Sequence, residues 1–409
     1  MIGRLMSTLM RFAVVFALAN IARLVVAAPF QLQPMASESD GSIVVEPWAD
    51  NGGNAIPDTV TLTDGLYGGA HDDWTTCTDG SCGTAECEEC RSGLFNKLLH
   101  RCAQHPGQFI ARVDAMLLWR NAPGNRPLFE TSGNQPILNA DGLESDMLVA
   151  PRVSLFRTDG CGNSAEISYI YAGNFYSERM LTAGPGGIFL SPPGIFANPP
   201  RPISYQTATT KLLGRFQSLE ANGRTAVGRG ATQFIAGFRW LQWQESFDST
   251  ASGAALSPPL SFTDTFATDC INDLYGGQIG LDTLLLSTGW GWRFEGLVKA
   301  GAYYNNAVQT SSYTLVQTPG TDAFREMRVG RSPAGAAFVG EVGLTGVIPI
   351  HCNLDFRIGY VGFWLESIAQ PTDQLSGQVL TQSLQPAGSL NTTGRVVLQG
   401  LSLGLEGRW

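Results

Sequence analysis

The chain lacks the long apolar runs by which helical membrane proteins are recognised. After its first segment, no part of the 409-residue sequence approaches an uninterrupted apolar stretch of the roughly 18–20 residues that a membrane-spanning helix needs. Only helices and closed barrels can satisfy every backbone polar group inside a bilayer. Spanning by helices is therefore excluded, and if the chain enters a membrane it does so as strands.

Charged residues are also scarce, and they are unevenly distributed. Only 15% of the residues are charged, while there are 48 glycines and 10% aromatics, a composition typical of many short strands. The segment from Pro29 to Cys90 has twelve Asp or Glu and no Lys or Arg. The formal net charge is −9 and the three leader arginines contribute +3, so residues 91–409 are neutral. A neutral body argues against nucleic-acid binding, which requires a basic face.

Histidine is rare, and its positions bear on catalysis. The four histidines are His71, His100 and His105, which precede the first predicted strand, and His351, which lies in a predicted short turn. Hydrolysis of acyl or peptide bonds usually needs a histidine base beside a nucleophile or a carboxylate. If the chain forms a membrane barrel with an active site at its outer end, none of these four histidines could reach that site. We therefore predict no enzymatic activity, no catalytic residue and no cofactor.

The N-terminal part divides into three predicted segments. Residues 1–27 are predicted to be a signal peptide, because Arg4 and Arg11 precede the short apolar run "FAVVFALA". Residues 28–76 form an acidic, Pro- and Gly-rich stretch, which predicts a disordered linker. Residues 77–108 are rich in cysteine and contain apolar residues at helical spacing, which predicts one short amphipathic helix.

Two interpretations of the cysteine-rich segment remain open. The pairs Cys87-x2-Cys90 and Cys102-x2-His105 have the spacing of a zinc site. Disulfides are the favoured alternative, because an exported chain meets an oxidising compartment. We further expect that Cys161 or Cys352, each in a predicted short turn, pairs with the N-terminal cluster.

From residue 109 to the end, apolar and polar residues alternate strictly. In "FIARVDAMLLW" the apolar face runs from Phe109 to Trp119, with Arg112 and Asp114 on the other face. Such alternation predicts strands whose two faces differ in polarity. Ten segments show it, each long enough for a tilted membrane strand: 109–120, 147–158, 164–177, 211–223, 231–246, 272–286, 292–306, 335–348, 354–367 and 395–409.

The links between these segments alternate in length. The short links are 159–163, 224–230, 287–291 and 349–353, and the long links are 121–146, 178–210, 247–271, 307–334 and 368–394. Outer-membrane barrels have an even strand number, short periplasmic turns and long outer loops. We therefore predict that residues 109–409 form an all-β, transmembrane, antiparallel up-and-down barrel of ten strands, with twelve as the alternative. A soluble β sandwich also alternates, but it does not require link lengths to alternate.

Several stretches resemble a known family. "ATQFIAGFRWLQWQESF", "NDLYGGQIGLDTLLLSTGWGWRFEGLVKAGAYYNN", "AAFVGEVGLTGVI" and the closing "LQGLSLGLEGRW" are similar to the β-barrel porin family of planctomycete outer-membrane proteins. The resemblance covers roughly residues 109–409 and includes the cysteine-rich segment ahead of them. It implies an outer-membrane barrel and supplies no catalytic set.

Two groups of candidate functional residues follow from the alternation. The last strand ends on Trp409 and so resembles the aromatic-ended final strand that barrel-assembly machinery recognises. This resemblance implies that Leu401, Leu403, Leu405 and Trp409 are a lipid-facing assembly signal. The predicted lumen-lining residues are charged: Arg112, Asp114, Glu220, Arg239, Asp282, Arg293, Glu295, Lys299, Glu341, Asp355, Arg357, Glu406 and Arg408.

These charges bear on the predicted function. Charges of opposite sign should pair across a lumen of only ten strands and leave little continuous water. Inward glycines such as Gly280, Gly301, Gly359 and Gly404 could instead leave a narrow path. We predict a porin-like or structural protein of the outer membrane, with passive diffusion of small solutes if the lumen is open. The alternative is a surface module that binds a polysaccharide or protein partner through its long loops. Outer-membrane lipid and the assembly machinery are the predicted partners, and both termini are expected in the periplasm.

Overall fold

The computed structural model describes residues 107–159, 162–184, 187–190, 204–228, 231–256, 259–289, 291–318, 320, 323–329, 335–375 and 390–409. The predicted signal peptide, the linker, nearly all of the cysteine-rich segment and the four zinc candidates lie outside these residues. No helix in the described part of the chain is long and apolar enough to cross a membrane.

Fourteen strands are present among the described residues. In chain order they are β1 Phe109–Arg120, β2 Pro127–Glu130, β3 Pro136–Asn139, β4 Leu148–Thr158, β5 Asn163–Thr182, β6 Phe189–Leu190, β7 Thr207–Val227, β8 Thr232–Leu256, β9 Pro259–Ser287, β10 Arg293–Thr318, β11 Ala323–Val329, β12 Gly335–His351, β13 Leu354–Ile368 and β14 Gly394–Arg408. One short helix, α1, spans Pro371–Gln374.

Ten of these strands close into an antiparallel barrel. The order around the wall is β1, β4, β5, β7, β8, β9, β10, β12, β13, β14, and β14 pairs with β1. Closure is completed by reciprocal backbone hydrogen bonds of 2.9 and 3.0 Å between Phe109 and Trp409. The prediction of an all-β barrel with ten strands is confirmed, and each of the ten predicted segments coincides with one barrel strand.

The two ends of the barrel differ. One end carries the short turns together with Phe109 and Trp409, and we call it the turn end. The other, the loop end, carries the long connections, and there β8, β9 and β10 extend to 25, 29 and 26 residues, against 12 for β1. The predicted long link 247–271 is therefore mostly strand. Both faces of this segment are rich in Ser, Thr and Ala. The segment therefore forms strands without the alternation of apolar and polar residues by which the other strands were predicted.

A small sheet, which we call the lid, packs into the loop end. Strands β2, β3 and β6 form a separate antiparallel sheet. The lid buries Leu128, Phe129 and Leu138 in one cluster with Phe247 of β8 and Leu375, which follows α1. A buried apolar cluster of this kind holds the lid on the barrel mouth by removing apolar surface from water.

Candidate functional site: the barrel lumen

The outer wall of the barrel has an apolar belt at its turn-end half. Val298, Ile279 and Leu344 face outward there and are each more than half exposed. Such a belt is the surface that an outer-membrane barrel presents to lipid. Leu401, Leu403, Leu405 and Trp409 also face outward and are exposed, and their role as an assembly signal stays a prediction.

Above this belt the outward residues become polar. On β8 the outward series passes from Trp240 to Gln242, and Gln242 donates a 2.8 Å hydrogen bond to Asp273 of β9. Gln217 of β7 donates a 2.6 Å hydrogen bond to Gln242. The lipid-facing part of β8 therefore ends near Trp240, and the wall beyond it has the character of a water-exposed surface.

The inward face of the turn-end half is charged, and its centre is a cluster on five strands. Glu341 of β12 accepts from Arg152 at 2.7 Å and from Arg239 at 3.0 Å. Glu220 of β7 accepts from Lys299 at 2.7 Å and lies 3.6 Å from Arg239. All five side chains are largely or fully buried, so each charge depends on its neighbours for compensation.

A second charged cluster lies on β1, β10, β13 and β14. Glu406 accepts from Arg112 at 2.7 Å and from Arg357 at 2.9 Å. The contacts then continue to the turn end. Arg357 forms an ion pair with Glu295 at 3.0 Å, and Arg293 forms one with Asp355 at 3.0 Å. Arg408 forms ion pairs with both Asp355 and Glu406. Charges of both signs therefore span this side of the lumen.

A third cluster contains residues that the sequence analysis missed. Arg224 of β7 donates to Glu166 of β5 at 2.9 Å and to Asp282 of β9 at 2.6 Å. Arg224 was expected in a short link, but β7 continues to Val227 and places it inside the lumen. It shares the parity of Glu220, which was the available sequence signal.

The remaining predicted lumen residue, Asp114, lines a charged cavity in this half. The cavity has a volume of about 70 Å³ and is also lined by Arg112, Arg152, Glu166 and Lys299. That volume holds on the order of five water molecules. The other twelve predicted lumen residues all form ion pairs, as expected; for Asp114 the described residues provide none.

The inward glycines do not leave a path. A Cβ on Gly404 would lie 2.0 Å from the Asp114 carboxylate, and one on Gly280 would lie 2.9 Å from the side chain of Lys299. Gly301 and Gly359 are filled in the same way by Tyr303 and Thr345. Each of these four glycines thus makes room for a neighbouring side chain.

An apolar layer covers the charged half. Met116, Phe216, Trp243 and Phe363 are fully buried and belong to one cluster that crosses the lumen. The ring of Phe363 lies 5.4 Å from the guanidinium of Arg152 and 5.7 Å from that of Arg239. These cation–π contacts join the two layers.

A polar tier lies between the apolar layer and the lid. Arg120 of β1 crosses the lumen and forms an ion pair with Glu245 of β8. Asn272 of β9 accepts from the backbone N–H of Ala369 at 2.7 Å and donates to its carbonyl at 2.9 Å. Neither Arg120 nor Glu245 was among the predicted lumen residues, although both share the parity of inward residues on their strands.

The two cysteines of the described residues are free thiols. Cys352 is exposed at the turn end, and Cys270 is buried in the polar tier. Cys161 and the five N-terminal cysteines lie outside the described residues. Cys352 is not paired in the structure. Pairing of Cys161 with the N-terminal cluster stays a prediction. Within the part of the chain that the structure describes, no group of three or more His, Cys, Asp or Glu could hold a metal ion.

Fold and lumen together define an outer-membrane type of β-barrel. Residues 207–409, close to half of the chain, match the family model "Putative beta barrel porin-7 (BBP7)". This match confirms the resemblance to β-barrel porins that the strand motifs predicted.

The chain has a low similarity to several solved structures. The outer membrane protease OmpT from Escherichia coli is 8% identical, with 75% of this chain and 100% of that chain covered and a TM-score of 0.38. The P. putida toluene transporter TodX is 9% identical, with 74% and 90% covered and a TM-score of 0.24. At such values nothing about the activity of this chain follows from them. No curated protein matches the chain.

Proposed function

We propose that this protein is a sealed barrel of the outer membrane, which acts as a structural component of the envelope and does not pass solutes in its resting state. The single observation that carries the proposal is that the apolar layer crosses the lumen and separates the cavity of the turn-end half from the polar tier. Paired charges occupy the turn-end half, the apolar layer of Phe363 and Trp243 crosses above them, and the lid covers the mouth. A channel for passive diffusion needs a continuous path of water.

Conductance of the purified protein in planar bilayers tests this proposal. The wild type should show no openings, or openings far smaller than those of a large porin. Replacing Arg293 and Glu295 together with Ala should widen the turn-end cavity and still not open the lumen, because the apolar layer is untouched. Wild-type conductance as high as that of a large porin would overturn the proposal.

The proposed orientation places the turn end in the periplasm and the loop end outside. It rests on the general arrangement of outer-membrane barrels, whose short turns are periplasmic. Cys352 is exposed at the turn end, so a membrane-impermeant maleimide should label it only after the outer membrane is permeabilised. Peptide mapping separates Cys352 from the other cysteines, and Cys352→Ser is the control. Labelling of Cys352 in intact cells would invert the orientation.

The extension of β8, β9 and β10 favours a second candidate function. These strands rise beyond the apolar belt and carry outward-facing, half-buried polar residues such as Asp248 and Gln244. A projecting wall of this kind suits contact with a polysaccharide or protein at the cell surface. Substitutions there that alter cell adhesion without altering permeability would support this role, and unchanged adhesion would argue against it.

A further inference from the structure

The polar tier beneath the lid contains a concentration of buried polar atoms that have no hydrogen-bond partner. These atoms are Nε and Nη2 of Arg120, Oδ1 of Asn305, Oε1 of Gln309, Nε2 of Gln370 and Oγ1 of Thr372. All five residues are at least nine-tenths buried. Buried polar groups are almost always paired in folded proteins, and an unpaired one is unfavourable. A group of six in one place therefore indicates something that binds there.

These residues adjoin one another. Glu245, Cys270 and Gln309 lie side by side in one inward row across β8, β9 and β10, where neighbouring strands are about 4.8 Å apart. Arg120 reaches this row through its ion pair with Glu245.

Gln370 and Thr372 come to the same tier through Ala369. The backbone of Ala369 is held by Asn272, and Asn272 accepts a 3.2 Å hydrogen bond from Asn305. The side-chain amide of Asn305 also donates to the carbonyl of Ser367 at 3.0 Å, which identifies its Oδ1 as the atom left free. The unpaired atoms thus lie along the link that contains Ala369 and on both sides of the buried patch that Ala369 forms with Cys270 and Ala307.

The pattern of free groups identifies the chemistry of a ligand. Three of the atoms are donors, two are acceptors, and the Thr372 hydroxyl can be either. A carboxylate or phosphate could satisfy only the donors, whereas hydroxyl groups both donate and accept.

The local charges indicate that the ligand is neutral. Arg120 is balanced by Glu245, and Arg126, which precedes the lid strand β2, lies 3.4 Å from Asp373 of α1. An added anion would face Glu245 and Asp373, and an added cation would face Arg120.

We propose that the polar tier is a binding site for a neutral polyhydroxylated solute, of the sugar or polyol class, enclosed between the apolar layer and the lid. Phe247 lies one inward position beyond Glu245 and packs in the lid cluster, so the solute enters from the loop end when the lid opens.

Titration of the full-length protein in detergent with glucose, maltose and glycerol tests this site. Binding is followed by the fluorescence of the tryptophans, since the indole N–H of Trp243 lies 3.4 Å from Glu245 in the tier, and by calorimetry. Millimolar concentrations keep the general stabilisation of proteins by sugars small. At least one of these probes should bind saturably, whereas succinate and phosphate at equal concentration should not.

Two substitutions separate binding from folding. Thr372→Val and Gln370→Met each remove an unpaired group without breaking an ion pair, so each should weaken binding about tenfold or more. Because an unpaired buried group is removed, the empty protein should be as stable as the wild type or more stable. Ser145→Ala is the matched control: Ser145 also has a buried hydroxyl without a partner, but it lies in the link between β3 and β4, and its variant should bind like the wild type.

Three outcomes would overturn the proposal. The first is that none of the three polyols binds the wild type, which would mean that ordered water alone fills the tier. The second is equal affinity in the wild type and both tier variants. The third is binding of succinate or phosphate in place of the polyols. None of these results depends on conductance, so the site and the sealed lumen can fail separately.

Discussion

The turn-end half and the loop-end half of the barrel have opposite distributions of polarity. On β8, Phe238 and Trp240 face outward in the turn-end half while Arg239 faces the lumen. Further along the same strand Gln242 and Gln244 face outward while Trp243 is fully buried inside. In the turn-end half the outer face is apolar and the inner face is charged, and at the height of the apolar layer, just beyond Trp240, this order is reversed.

This exchange explains why the charged layer lies where it does. In the turn-end half the outer face must be apolar to meet lipid, and a strand apolar on both faces would be prone to aggregate before assembly. Inward charges keep those segments polar on one side. In the loop-end half the outer wall is polar, so the inside can be apolar, as in a soluble β protein. Replacing a buried ion-pair network by apolar residues is often neutral for stability, so the charged layer is better explained by this requirement than by a gain in stability.

The largest expected effect comes from breaking the central charged cluster. Glu341→Leu removes the partner of Arg152 and one of the two partners of Arg239, and leaves Glu220 alone to balance three buried cations. We expect a loss of about 3–5 kcal/mol in the free energy of unfolding, or failure to assemble. Urea unfolding in phospholipid vesicles measures it. A loss below about 1 kcal/mol would show that water reaches the cluster and that the turn-end half is not dry.

A somewhat smaller loss is expected from the apolar layer. Phe363→Ala should cost about 3 kcal/mol in the same assay, because it leaves a cavity in a packed core. It also removes the ring that covers Arg152 and Arg239. Small openings should therefore appear in planar bilayers, in contrast to the Arg293 and Glu295 double variant, which leaves this layer intact. If both variants stay closed, the lid alone is sufficient to seal the barrel.

The height at which the faces exchange can be located with outward substitutions. Phe238→Arg, in the lipid belt, should cost about 2–3 kcal/mol in vesicles, while Gln242→Arg, four residues further along β8, should cost less than about 1 kcal/mol. The reason is that a charge near the middle of a bilayer is far more costly than one near its surface. Equal costs at the two positions would place the edge of the belt elsewhere.

The sequence predicted the wall of this barrel better than its contents. Strict alternation gave all ten barrel strands, since the apolar outer face follows directly from contact with lipid. The extended parts of β8 and β9 were missed, because neither face of those parts is consistently apolar. The pairing of Arg239 with Glu341, 102 residues away, depends on strand order and tilt, which alternation does not contain. The polar tier depends on where the link containing Gln370 crosses the lumen, and no local pattern indicates that.

The smallest expected effect concerns Asp373, a charge of α1 in the loop-end half. Burial raises the pKa of its carboxyl, and Arg126 at 3.4 Å offsets this only in part. The folded-state pKa of Asp373 therefore lies above the value of about 3.9 for an unfolded chain. The folded protein binds the proton more tightly, so the contribution of Asp373 to stability is full below the unfolded pKa and is lost as the pH rises through the folded one.

Asp373→Asn should then raise the free energy of unfolding at neutral pH by about 0.5 kcal/mol, a small value because the partly exposed carboxyl is screened by solvent. Near pH ~3, where the carboxyl is protonated in both states, the variant and the wild type should be equally stable. Arg126→Gln, which removes the offsetting charge, should enlarge the difference at neutral pH. If Asp373→Asn were instead less stable at neutral pH, the ion pair of Asp373 with Arg126 would contribute more to stability than burial of the carboxylate costs.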